Sequence, residues 1–145
     1  MARVVAVNIS DRKGVIKTPI EKGFFKVDHG LQGDAHAGNW HRQVSLLGVE
    51  SIDKMKASGA SDLVPGKFAE NITTEGVILY ELPIGTKLKV GEVILEVTQI
   101  GKECHTGCEI RSLVGDCVMP REGIFARVIK EGYIKAGDQI IEIAK

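Results

Sequence analysis

The stretch Lys87-Leu88-Lys89-Val90-Gly91-Glu92-Val93-Ile94-Leu95-Glu96-Val97-Thr98-Gln99-Ile100 indicates the fold class of this protein. Two runs rich in aliphatic and β-branched residues flank Gly91-Glu92. A glycine followed by an acidic residue suits a tight turn whose backbone needs a positive φ. The stretch therefore predicts two strands, Lys87–Val90 and Val93–Ile100, joined at a hairpin-like corner.

Comparable short runs occur along the rest of the chain, separated by 17 glycines and 4 prolines. They predict further strands at residues 4–9, 15–17, 24–27, 44–47, 124–130 and 139–143. Six or more strands in 145 residues favour a barrel over a doubly wound sheet. We therefore expect a mostly β fold with short helices, a closed antiparallel β-barrel, as a single domain over residues 1–145.

Helical periodicity is clear in one place. Val49, Ile52 and Met55 recur every third residue and Gly59 follows as a stop, which predicts a helix over residues 49–57. A second short helix is predicted over residues 108–114, before Gly115.

Charge and hydropathy bear on partners and location. Lys and Arg number 19, as do Asp and Glu, whereas a general nucleic-acid or anionic-membrane binder shows a basic surplus. No apolar run approaches the ~20 residues of a membrane-spanning helix. The first residues turn polar before a signal-peptide core could form. We expect a cytoplasmic protein that binds neither nucleic acid nor membrane.

The most reactive side chains are three cysteines, Cys104, Cys108 and Cys117, in a polar stretch after the strand Val93–Ile100. An odd number of clustered cysteines is unlike a secreted disulfide scaffold. A thiol near cations can fall below its usual pKa of ~8.5 and act as a nucleophile or soft-metal ligand. The alternatives are that these thiols are small buried hydrophobes or, together with His105, ligands of a zinc ion.

Residues 28–43 form a second candidate site. They hold three of the four histidines, the only tryptophan and three glycines. Trp40 could stack on a flat ring, and His41 and Arg42 could face anionic oxygens. The alternative is a glycine-rich crossover in which Trp40 plugs one end of the barrel.

Residues 65–76 form a third candidate site. Polar Asn71 and Thr73 alternate with Ile72, so one face of this segment could point into a cleft. The alternative is a hydrogen-bonded corner that closes the barrel.

Four motifs taken in order resemble the MOSC domain, the C-terminal domain of molybdenum cofactor sulfurases. They are Gly30-Leu31-Gln32-Gly33-Asp34-Ala35-His36, Phe68-Ala69-Glu70-Asn71-Ile72-Thr73-Thr74-Glu75-Gly76, the pair Ile84-Gly85 and Val90-Gly91, and Glu96-Val97-Thr98-Gln99 before Cys104. The resemblance implies a β-barrel and an association with the molybdenum cofactor, a pyranopterin dithiolene that bears a phosphate. It also implies sulfur carriage or the reduction of N-hydroxylated compounds.

By this resemblance Cys104 is the reactive residue, as a sulfur carrier or a molybdenum ligand. The residues expected to bind a molybdopterin-type cofactor are Trp40, His41, Arg42, Lys67, Asn71, Thr73 and Arg121. The chain lacks a sulfurase domain and a ferredoxin-type cysteine set, so a sulfur donor or a molybdenum-cofactor enzyme is the expected partner. Two alternatives remain: a non-catalytic interaction module for such an enzyme, and a reductase component for N-hydroxylated compounds.

Overall fold

The computed structural model describes residues 2–12, 16–57, 65–66, 68–101 and 122–144, and strands dominate it. The helix α1 spans Val49–Ala57, and a short 3-10 turn spans Leu79–Glu81. The strands are β1 (Arg3–Ile9), β2 (Thr18–Ile20), β3 (Lys22–Lys26), β4 (Gly30–Leu31), β5 (Val44–Gly48), β6 (Ile72–Glu75), β7 (Lys87–Val90), β8 (Val93–Ile100), β9 (Ile124–Lys130), β10 (Gly132–Lys135) and β11 (Ile140–Ala144).

The strands form two sheets. The larger has eight strands in the order β11-β7-β8-β9-β5-β6-β1-β2, and the smaller has the order β10-β3-β4. Strands β5 and β6 are parallel, and a parallel pair needs a crossover connection, which here contains α1. The other paired strands of the described residues are antiparallel.

The mostly β composition is confirmed, but the predicted closed antiparallel barrel is wrong. Both sheets are open, and the larger one ends at β11 and β2. Strand β1 pairs with β6 on one side and with β2, through Val7–Ile9, on the other. The first residues of β1 lie near the β11 edge of the larger sheet. There, one isolated bridge joins Arg3 to Gln139. One bridge does not make the continuous ladder that closure requires.

Several predicted elements are confirmed with their bounds: α1, β7, β8 and β9. The strand predicted at residues 15–17 is displaced, because the structure places β2 at Thr18–Ile20 and residue 15 lies outside the described residues. The helix predicted at residues 108–114 also lies outside them. The sequence interpretation did not predict the strands β4, β6 and β10.

The hydrophobic core lies on the inner face of the larger sheet. The core therefore identifies which face of each strand points outward. In β8, Val93, Leu95 and Val97 are buried, whereas Ile94, Glu96 and Thr98 are partly exposed. Side chains alternate across a strand, so Glu96 and Thr98 share the face opposite the core. That face borders the groove described next.

Candidate functional site

A groove of about 430 Å³ lies beside β8 and β9. The segment before β5 forms one wall, and the outer face of β8, the turn before β7, Asp28 and Arg127 of β9 form the rest. Its principal lining residues are Trp40, His41, Gln43, Ile84, Glu96 and Arg127. Glu96 pairs with Arg127 across the β8–β9 ladder, with Oε1 and Nε 2.6 Å apart.

Gln99, near the end of β8, connects the wall of the groove to the strand. Its Oε1 accepts hydrogen bonds from His41 Nε2 at 2.8 Å and from Arg42 Nε at 3.1 Å. Its Nε2 donates to the carbonyl of Gly101 at 2.7 Å. Because the Gln99 oxygen is an acceptor, His41 carries a proton on Nε2. The Gln99 amide therefore joins the end of β8 to the wall formed by Trp40, His41 and Arg42, which we call the stacking wall.

Trp40 is held with part of its ring open to the groove. Its Nε1 donates to the carbonyl of His36 at 2.9 Å, and 37% of the residue is exposed. The guanidinium of Arg42 lies 5.9 Å from the Trp40 ring and 5.3 Å from the Phe125 ring. The ring is thus fixed in place and available for stacking.

A buried ion pair supports the segment that carries Trp40. Lys17 Nζ donates to Asp34 Oδ1 at 2.8 Å, to Ser10 Oγ at 2.9 Å and contacts His36 Nδ1 at 3.1 Å. Burial acts to raise the pKa of Asp34, but the Lys17 ammonium and the Ser10 N–H outweigh it and hold that pKa below its usual value.

Asn71 and Thr73 lie in a different environment, fully buried beside β1 and β5. Asn71 Oδ1 accepts the Ser45 N–H at 3.0 Å, and Thr73 Oγ1 donates to Glu70 Oε2 at 2.6 Å. Burial raises the pKa of Glu70. Of the predicted binding residues in the described segments, Trp40 and His41 line the groove, Arg42 packs behind Trp40, and Asn71 and Thr73 lie away from it.

Cys104, Lys67 and Arg121 lie outside the described residues, as do Cys108, Cys117 and His105 of the zinc alternative. Their proposed roles stay predictions. Among the residues that the structure describes, no three His, Cys, Asp or Glu side chains are grouped as a metal site. The Gly101 N–H donates to the Gly123 carbonyl at 2.7 Å, so the described residues on either side of 102–121 are joined.

Sequence reasoning missed Gln43, Glu96 and Arg127 in the groove and Gln99 beside it. The alternation of β8 could have placed Glu96 on an outer face, but Arg127 joins it only through the β8–β9 register. Gln43 lies in the stretch 28–43 that the sequence singled out, but nothing in its local sequence marked it as a groove residue.

The helix α1 has nine residues, well below the ~20 needed to cross a bilayer, and no longer helix occurs in the described residues.

The chain has the fold of several solved bacterial proteins. It is similar to the YuaD protein of Bacillus subtilis, with 20% identity, a TM-score of 0.79, and coverage of 97% of this chain and 94% of that one. YiiM of Geobacillus stearothermophilus is 17% identical with a TM-score of 0.76, covering 99% and 75%. YiiM of Escherichia coli is 17% identical with a TM-score of 0.75, covering 100% and 71%.

No curated protein matches the sequence. The sequence model of the MOSC domain matches residues 33–141, which include the groove residues from Trp40 to Arg127. Because this match covers most of the chain, the protein belongs to the MOSC domain family.

Proposed function

We propose that the groove binds a molybdopterin-type ligand and that Cys104 carries sulfur or a molybdenum ion next to it. The observation that carries the proposal is the Gln99 amide, which bonds to His41, Arg42 and Gly101 at once. Cys104 follows Gly101 by three residues in the sequence. The stacking wall and the start of the cysteine segment are therefore attached to the same strand end.

The described residues suit the organic part of such a ligand. A volume of about 430 Å³ falls within the roughly 300–1,000 Å³ of small-molecule sites. Trp40 offers a ring face, and Gln43 and His41 offer polar groups. Two arginines are candidates for a phosphate: Arg127, which lines the groove and is paired with Glu96, and Arg42, which lies behind Trp40.

When bound, the cofactor would supply a molybdenum–dithiolene centre for sulfur or oxygen-atom chemistry. The residues of this chain would bind and orient it: Trp40 by stacking, and His41 and Arg42 through their fixed positions on Gln99. The sulfur or the cofactor would come from a sulfur donor or a molybdenum-cofactor enzyme as partner.

The test loads the purified chain, without oxygen, with cofactor released from a molybdenum enzyme. Bound pterin is measured by fluorescence after oxidation, and sulfur or molybdenum by mass spectrometry. We expect Trp40→Ala to lose roughly tenfold in pterin retention, since stacking on an aromatic ring contributes about 1–3 kcal/mol. We expect Cys104→Ala to lose the sulfur or the molybdenum.

Tyr133→Ala is the control, because Tyr133 is an exposed aromatic residue outside the groove lining. Retention of pterin, sulfur and molybdenum by Cys104→Ala at the wild-type level would refute the role of the thiol. Equal pterin retention by Trp40→Ala and wild type would refute the role of the groove.

A further inference from the structure

Gln43 differs from the other polar residues of the groove because it is almost completely buried. It lines the groove although only 2% of the residue is exposed. It stands directly before β5, which starts at Val44. A buried amide on the wall of a groove has to bond on every side or present its remaining atoms to whatever fills the groove.

The orientation of this amide is fixed by the backbone of β9. Gln43 Oε1 accepts the N–H of Val128 at 3.0 Å. The β5–β9 ladder ends at Val44 and Ala126, two residues before Val128, so the side chain supplies an acceptor beyond the end of the ladder. Rotating the amide by half a turn would place its NH2 group against the Val128 N–H. Oxygen therefore faces β9, and nitrogen is the free end.

The Nε2 atom of Gln43 makes no hydrogen bond within the part of the chain that the structure describes. Nor is it among the buried polar atoms closed off from the surface without a partner. It therefore keeps some exposed surface, and the groove is the cavity that Gln43 lines. The charged pair nearby, Glu96 and Arg127, is engaged with itself.

We propose that Gln43 Nε2 determines the specificity of the groove by donating to an acceptor on the edge of a planar heterocycle. Trp40 provides a face for the ring, and Ile84, which is exposed, provides apolar contact. A ring carbonyl beside Nε2 satisfies the donor, whereas an amino group there sets two donors against each other. This inference rests on the proposed function in that the ligand enters the same groove, and it concerns the ring rather than sulfur or metal.

The test compares two pairs of probes in which one member carries a carbonyl, with a proton on the adjacent ring nitrogen, and the other carries an amino group beside a bare ring nitrogen. The pairs are hypoxanthine with adenine, and pterin with its diamino analogue. Affinities are measured by calorimetry on the full chain. We expect wild type to prefer the carbonyl member by roughly tenfold, because the amino member leaves a buried donor unpaired.

Gln43→Glu reverses the chemistry at one atom. One carboxylate oxygen keeps the bond to the Val128 N–H and the other replaces the donor with an acceptor. Because burial raises the pKa of a carboxyl, the comparison is made above the midpoint of the variant's own titration, where we expect the preference to invert toward the amino member. Gln32→Glu is the matched control, since Gln32 is exposed and outside the groove lining, and it should keep the wild-type preference.

Equal affinity of wild type for both members, no binding of any probe, or parallel weakening of both members in Gln43→Glu would overturn the inference. The wild-type comparison decides the matter even if the variant does not fold. Discrimination within the purine pair alone would support the role of Gln43 while removing the pterin from the proposed function.

Discussion

Lys17 and Asp34 form an ion pair whose side chains have no exposed surface. Such a pair stabilises a fold only when its remaining donors and acceptors are bonded. Lys17 Nζ meets Asp34, Ser10 and His36, and Asp34 Oδ2 also accepts the His36 N–H at 3.1 Å. Because the His36 carbonyl in turn accepts the Trp40 indole N–H, the pair supports the stacking wall of the groove.

Asp34→Asn is expected to lower the free energy of unfolding at neutral pH by about 3–5 kcal/mol, because it leaves the Lys17 ammonium buried without its counter-charge. The folded-state pKa of Asp34 lies below its usual value of 3.8. Its stabilisation is therefore present in full above that pH and is lost as the pH falls through the folded-state pKa. The difference in the free energy of unfolding between wild type and Asp34→Asn should therefore shrink as the pH falls through the folded-state pKa of Asp34.

Urea denaturation across the acid range measures this difference. Asp11→Asn is the control, since Asp11 is exposed, and it should change stability by less than about 0.5 kcal/mol. A variant as stable as wild type at pH 7 would contradict the role assigned to the pair.

At the level of elements, β8 matters because its two faces and its end do different things. Val93, Leu95 and Val97 pack into the core, Glu96 borders the groove, and Gln99 fastens the preceding loop to the strand end. The strand pairs with both β7 and β9, so this end cannot shift without disturbing the larger sheet. The groove wall therefore takes its position from the most extensively paired part of the fold.

Gln99→Leu tests this connection. The variant loses the acceptor for His41 and Arg42 and the donor to Gly101, so we expect the loop to loosen and the emission of Trp40, the only tryptophan, to shift. The free energy of unfolding should fall by about 1–3 kcal/mol. Fluorescence and denaturation of the purified variant measure both effects.

Gln32→Leu serves as the comparison, because Gln32 is exposed and its side chain makes no hydrogen bond to the described residues. An unchanged Trp40 spectrum in Gln99→Leu would show that the loop is held by other contacts.

At the scale of the whole molecule, the larger of the two sheets is open, and its strands differ in how many neighbours they have. Strands β8, β9 and β5 lie inside the eight-stranded order, whereas β2 lies at its edge and contains Pro19, which has no N–H to donate. Strand β11 is at the other edge, and the isolated bridge between Arg3 and Gln139 joins the residue just before it to β1. We therefore expect the interior strands to resist local unfolding more strongly than the edge strands.

Native-state hydrogen exchange followed by mass spectrometry tests that expectation. Peptides from β8 and β9 should exchange most slowly and those from β2 most rapidly, because interior strands open only when neighbouring ladders break. Exchange in β2 as slow as in β8 would indicate that the edge is covered in solution.

The amino-acid sequence by itself determined the mostly β composition, the bounds of α1, β7, β8 and β9, and the family. These follow from local patterns: β-branched runs, glycine turns and a helical repeat act over a few residues. An unusual local composition singled out Trp40 and His41, and both line the groove.

Tertiary structure alone decided that the sheet stays open and that β5 and β6 run parallel, since both depend on which distant strands pair. It also decided which polar residues meet the groove. Asn71 and Thr73 alternate like cleft residues but lie buried between strands, whereas Gln43 is turned toward the groove by a bond to Val128, 85 residues away. Periodicity shows which side of a strand a residue occupies, but only long-range pairing determines what covers that side.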